Sequence, residues 1–233
     1  MLRNLFPALA CMVFSAGAAN IARAPVLVEL FTSEGCSSCP PADRHLQQLD
    51  SHAIVLSEHV DYWNQLGWKD KFSSPEFTQR QETYAREFGL DGPYTPQMVV
   101  DGGTQFTGGD ARRAAVEIEK AANRAKATIV LERTDNGARV AIESVPHEAD
   151  VWLAVADDSD TTRVAAGENK GRTLAHVAVV RSLRKIGYVK RGGTFSRQVD
   201  LPAGPGGRRI IVFLQEAGQA HVWGAAMIEA AEI

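Results

Sequence analysis

Cys36 and Cys39 stand three positions apart in the run Phe31-Thr32-Ser33-Glu34-Gly35-Cys36-Ser37-Ser38-Cys39-Pro40-Pro41-Ala42-Asp43. Two thiols at that spacing close a small disulfide ring, and thiolate attack through a mixed disulfide reopens it. An apolar stretch precedes the run and a helical pattern follows it, so Cys36 is expected at a helix start. Unpaired N–H groups and the helix dipole favour a thiolate there. Cys36 is therefore the expected nucleophile, and Cys39, a turn inward, the resolving thiol; Pro40 stiffens the loop between strand and helix. The same thiols, with His45, His52 and His59, also offer soft ligands to copper or zinc. The seven-residue spacing of those histidines crosses a helix, a loop and a strand and matches no structural-zinc pattern. Thiol–disulfide exchange is thus the reading, with no cofactor beyond the cysteine pair. The alternative is a non-catalytic binding or copper-handling module whose C-x-x-C is a metal ligand or a structural disulfide.

Several elements must position this pair. Pro25 to Phe31 reads as a buried strand, and from Pro40 the apolar positions Ala42, Leu46 and Leu49 fall on one helix face. Ala53 to Ser57, extending toward Val60, is a second strand, and Pro75 to Phe88 a second helix with Gly89 as its C-cap. Pro96 to Val100 begins a third strand, and Asp101-Gly102-Gly103 turns it into a returning strand, Thr104 to Thr107. Asp110 then caps an alanine-rich helix from Ala111 to Lys126. The order βαβαββα, with one parallel half and one antiparallel hairpin half, is the thioredoxin topology.

That topology gives further residues expected roles. A cis-proline at Pro96 would stand against the cysteines and leave the backbone of Thr95 free to pair with a substrate strand. The other reading is a trans proline that opens an edge strand. Glu29, an acid inside an apolar strand, is costly unless paired or protonated, and serves either as a proton relay beneath Cys39 or as a surface-facing residue. His59 falls at the C-terminal end of the second strand, the edge where sites gather in α/β sheets. Trp63 and Trp68 belong to a dense aromatic segment, which either walls a groove beside the thiols or packs as an inserted loop.

From Ala127 the pattern changes to seven short alternating runs, separated by turns such as Asp135-Asn136-Gly137 and Gly204-Pro205-Gly206-Gly207. They suggest a mainly antiparallel β-sandwich. Acidic residues outnumber basic ones across 20–125, whereas the two balance across 126–233. A thioredoxin-like domain over 20–126 and a sandwich over 127–233 follow. Between them in function stands the glycine-bounded loop Ala166-Gly167-Glu168-Asn169-Lys170-Gly171-Arg172, which would close over the thiols, bind an anion, or simply join two strands. The basic residues Arg181, Arg184, Lys185, Lys190 and Arg191 read as a solvated strand face.

At 233 residues and 45% hydrophobic content the chain can bury a substantial core. Its net charge of −3 and lack of a basic run argue against nucleic acid and for a protein or peptide thiol partner plus a redox partner. The N-terminus reads as an export signal over residues 1–19: Arg3, an apolar stretch from Leu5 to Phe14, and the A-x-A site Ala16-Gly17-Ala18. That stretch is too short to span a bilayer, so no transmembrane segment is expected after cleavage and the mature protein is expected to be periplasmic or secreted. Cys11 leaves with the signal, and both remaining cysteines belong to the pair.

The cysteine run resembles, together with Tyr62-Trp63, Trp68-Lys69-Asp70, Tyr94-Thr95-Pro96-Gln97 and Gly167-Glu168-Asn169-Lys170-Gly171, a bacterial family recorded as a domain of unknown function, number 1223. That family is similar to thioredoxins and is taken to be exported. The resemblance covers nearly the whole mature chain and implies a redox-active pair, but it names no substrate.

Overall fold

A computed structural model of the chain describes residues 24–135, 137–200 and 208–229. The export signal, Cys11 and the Gly204–Gly207 turn lie outside them. The first half follows the expected order: β1 (Leu27–Thr32), α1 (Pro40–Leu49), β2 (Ile54–His59), α2 (Pro75–Glu87), β3 (Gln97–Val100), β4 (Thr104–Thr107) and α3 (Ala111–Ala122). β1 pairs in parallel with β2 and antiparallel with β3, which turns back onto β4. Pro75 starts α2 behind Ser74, whose hydroxyl caps Glu76 N–H. At its other end Phe88 is the cap, and Gly89 takes the left-handed φ of +63° one residue further on. Asp110 caps α3 as expected, by accepting from Arg113 N–H.

In the second half β5 (Thr128–Thr134), β6 (Gly137–Glu143), β7 (Ala149–Arg163), β8 (Thr173–Val189), β9 (Phe195–Asp200), β10 (Arg208–Gln215) and β11 (Val222–Ile228) fall close to the seven runs. They do not form one pair of sheets of their own. Four of them extend the first sheet, giving the order β11-β10-β7-β8-β2-β1-β3-β4, and β5-β6-β9 form a separate three-stranded sheet. The junction is a parallel contact of β8 on β2 at Val179 and Ser57. A buried strand edge at β2 needs a backbone partner, and β8 supplies it. The mixed sheet therefore runs through position 126, where the sequence changes character.

Two cores follow. One joins Leu27, Leu30, Leu46, Leu56 and Phe106 to Ala154, Val180 and Phe213 from the second half. The other fills the space between the two sheets with Val140, Ile142, Val151, Leu153, Val212 and Leu214. β7 and β8 outrun the sequence runs and form a long hairpin, whose tip, residues 164–172, returns to the cysteines. Among the described residues no helix is long and apolar enough to cross a membrane.

Candidate functional site

β1 is buried along its whole length, so its alternating side chains face different helices. Thr32 meets α1, where its hydroxyl donates to Asp43 Oδ1 at 2.8 Å. Glu29 and Phe31 meet α2: Arg80 Nε donates to Glu29 Oε1 at 2.7 Å, Tyr84 Oη donates to Glu29 Oε2 at 2.5 Å, and Phe31 packs edge-on against the Tyr84 ring. Glu29 thus lies on the sheet face opposite α1, paired with a guanidinium. On the α1 side of β1 the buried carboxylate is that of Asp43.

Cys36 and Cys39 form a disulfide with their Cα atoms 5.4 Å apart, and Cys39 is the N-cap of α1. Both are fully buried. The β7–β8 tip is the reason. The side-chain amide of Asn169, itself fully buried, donates to the carbonyls of Glu34 and Cys36, each at 2.9 Å. Arg172 holds the other end of that amide, donating to Oδ1 at 2.7 Å. Glu168 Oε2 accepts from Ser37 N–H at 3.1 Å. Gly167 has φ of +72°, and a Cβ there would come within 3.0 Å of Trp68 Cβ, so the strap is seated by glycine's lack of a side chain. Of the three readings of this loop, closure over the thiols is what the chain adopts.

The tryptophans fasten the same site. Trp63 Nε1 donates to Thr95 Oγ1 at 2.9 Å, and Trp68 Nε1 donates to Glu34 Oε2 at 2.8 Å. A Cβ on Gly35 would stand 3.0 Å from Trp63 Cβ. Trp63 therefore bridges the cysteine loop to Thr95, whose bond to Pro96 is cis. Thr95, Pro96, Trp63, Trp68 and His59 all gather around the cysteine loop, and Glu29 does not.

His59 is fully buried and its Nδ1 lies 2.6 Å from Asp70 Oδ2, the oxygen that also accepts from Glu34 N–H at 2.9 Å. Burial pulls the imidazole down, but the Asp70 carboxylate raises it on balance. For Asp70 burial pushes up, and His59 with two backbone N–H groups holds it below the usual range. A raised histidine contributes stability in full below its ordinary value of 6.5 and loses it as pH rises through the folded value. The depressed acid contributes above 3.8 and loses that as pH falls. The stability lost in a His59→Gln variant, about 3 kcal/mol for breaking a buried pair, should therefore be largest near pH 5–6 and shrink toward pH 9. Urea titrations of both proteins at several pH values check this; a constant difference would contradict it.

His45 and His52 take no part: His45 Nδ1 contacts Gly108 O at 3.2 Å, and His52 is exposed. Among the described residues no group of three or more His, Cys, Asp or Glu is arranged to hold a metal ion. Arg181 and Lys185, read as a solvated face, pair with Asp157 and Asp150. Sequence reasoning missed Asn169 as the lock, and Asp43, Asp70 and His176 as members of the site. The Asp43 position, four residues after Cys39 on the same helix, was a usable signal; the other three depend on long-range pairing.

The fold and the bridged pair define a mixed-sheet α/β protein with a disulfide at the head of its first helix. The chain belongs to the family described as "Protein of unknown function (DUF1223)", whose model matches residues 27–215. It is similar to a crystal structure of a protein from Agrobacterium tumefaciens, with 29% identity, 91% of this chain and 96% of that one covered, and a TM-score of 0.76. It also resembles HBP35 of Porphyromonas gingivalis in fold, at 15% identity and a TM-score of 0.62, covering 89% of this chain and 75% of that one. A comparison with curated proteins gives no match.

Proposed function

We propose that this chain is an exported, thioredoxin-like thiol–disulfide oxidoreductase that exchanges disulfides with a protein or peptide partner through Cys36 and Cys39. The carrying observation is the disulfide at the N-cap of α1, with Trp63 packed on the cysteine loop at Gly35 and bonded to the Thr95 hydroxyl. A thiolate released there is stabilised by the helix start, and Thr95 offers backbone groups to an extended substrate segment. Export rests on the N-terminal sequence alone, and the thioredoxin-like reading rests on the βαβαββα order with β1 central between β2 and β3. The reading of residues 127–233 as a β-sandwich is supported by the apolar core that β6 shares with β7 and β10.

Full burial of both cysteines favours a second reading, a non-catalytic module whose pair is a structural clip. Trapping separates the two. A Cys39→Ser variant incubated with oxidised partner extract or a model peptide disulfide should accumulate a mixed disulfide on Cys36. No Cys36-linked species, together with a wild-type disulfide that resists millimolar dithiothreitol in the folded protein, would leave only the clip.

Exchange requires the strap to move. Asn169→Ala leaves two buried carbonyls without their donor, at about 1–3 kcal/mol in the closed state. The variant should be reduced by dithiothreitol about tenfold faster than wild type, read by alkylation and mass spectrometry. An unchanged rate would mean that the strap does not limit access.

A further inference from the structure

Around Glu34 and Asp43, which flank the cysteines, five buried polar atoms have no hydrogen-bond partner among the described residues: Glu34 Oε1, Asp43 Oδ2, His59 Nε2 and both ring nitrogens of His176. Such atoms ordinarily carry a partner, because leaving one bare costs about 1–3 kcal/mol. They converge. His176 Nε2 lies 3.5 Å from Glu34 Oε1, its Nδ1 lies 4.0 Å from Asp43 Oδ2, and the His59 and His176 rings meet edge to face at 4.8 Å. His176 comes from β8, in the second half of the chain, whereas Glu34 and Asp43 flank the cysteines.

Asp43 is the member that shares a helix with a cysteine. It stands four residues after Cys39, so the two share one helix face, and its N–H donates to the Cys39 carbonyl at 3.0 Å. It also lines a pocket of ≈ 180 Å³ between α1 and the start of β8, with Pro40, Arg44, Thr173 and Ala175. That pocket gives the otherwise closed set an opening to water.

We propose that the redox site extends across the sheet to β8, and that Asp43, positioned by His176 and Glu34, holds the proton that Cys39 takes up when the disulfide is reduced. The proposal rests on the exchange activity argued above. Burial raises the Asp43 carboxyl above its usual range, against the lowering effect of both histidines, so a proton is held there at pH values where a surface aspartate has lost it. The other charged groups around the set are Asp70, bonded to His59, and Lys71 and Arg181, which stack on the Phe72 ring that touches both histidines.

The step balances with a dithiol as reductant. One partner thiolate attacks Cys36 Sγ, and the Sγ–Sγ bond breaks with its electron pair on Cys39 Sγ. Asp43 protonates that thiolate. The partner's second thiolate then displaces Cys36 as a thiolate and closes the partner disulfide. Two electrons have passed from partner to protein. Of the two protons the partner's thiols give up, one restores Asp43 through the pocket and the other goes to solvent.

The test is the rate of reduction of the folded protein by dithiothreitol from pH 5 to 9, divided at each pH by the thiolate concentration of the reagent. Wild type should show a fall as pH rises and Asp43 ionises. Asp43→Asn should flatten that profile and lower its acid limb by about 100-fold, the size of a general-acid contribution. His176→Gln keeps the acid but should move the pH of the fall, and it decides the matter if Asp43→Asn does not fold. A purely structural Asp43 would change unfolding midpoints and leave the shape of the profile intact. An Asp43→Asn profile parallel to wild type, or an unmoved fall in His176→Gln, overturns the proposal. Failure of the wild-type disulfide to be reduced at all would instead overturn the exchange activity on which it rests.

Discussion

Cys36→Ser is expected to lower disulfide exchange to the rate of the uncatalysed reaction, while Cys39→Ser still attacks and stops at the mixed disulfide. The asymmetry follows from the chemistry of a vicinal pair: the first thiolate forms the bond to the partner, and the second resolves it. Position reinforces it. Cys36 Sγ lies 3.3 Å from the hydroxyl of the exposed Ser38, whereas Cys39 is the cap of α1. The measurement is insulin or model-peptide disulfide turnover for both variants, with non-reducing electrophoresis for the trapped species. Equal residual turnover in the two would remove the division of labour. Trapping on Cys39 in Cys36→Ser would reverse it.

The second large effect concerns stability. Arg80→Met should destabilise the protein by about 3–5 kcal/mol, a large share of the 5–15 kcal/mol that holds an ordinary domain together. Arg80 is buried between Glu29 at 2.7 Å and Glu58 at 3.6 Å, with the Tyr84, Trp152 and Phe213 rings about its guanidinium. Burial drives the Glu58 carboxyl well above its usual range despite Arg80, and the neighbouring Glu29 adds to the rise. Glu58 therefore holds a proton at pH values where a surface glutamate has lost it, and Arg80 keeps Glu29 as its close partner. Removing the cation leaves a buried carboxylate uncompensated. Arg80→Met with Glu29→Gln should recover much of the loss, because a neutral pair has no such charge to desolvate. Chemical denaturation of the two single variants and the double variant forms the cycle that measures the coupling. An Arg80→Met loss below about 1 kcal/mol would show the pair to be dispensable.

The strap prediction bears on the same balance between order and access. A cysteine pair with no exposed surface is chemically quiet while Asn169 holds the carbonyls of Glu34 and Cys36. Reactivity is then set by how often residues 164–172 lift, an opening of low free energy because only the tip of a long hairpin moves. A partner that grips the strap would gain access that a small thiol gains only by waiting.

Much of the local structure was legible along the chain. The apolar run from Val26 to Phe31 and the prolines at 40, 75 and 96 marked element starts, and Asp110 marked its helix cap, because each is decided by neighbours within a few residues. The strands of the second half were legible too, yet not their assembly. Nothing in the period of β8 says that Val179 will meet Ser57 of β2, so four strands expected in a separate unit joined the first sheet. Glu29 shows the limit within one strand. Its cost when buried was foreseeable, but which of two sheet faces it takes depends on the pleat, and its partner Arg80 comes from a helix 51 residues later.

The sequence by itself determined that two thiols three apart would close at the head of a helix, and that Thr95-Pro96 would open a strand. Those are consequences of spacing, capping and backbone restriction, all short-range. Only the tertiary structure decided that the disulfide lies covered, that Asn169 locks it from 133 residues away, and that His176 stands between Glu34 and Asp43. These contacts arise where β8 docks on the edge of β2. Burial removes water from every polar group there, and each must take whatever partner the docked strand carries.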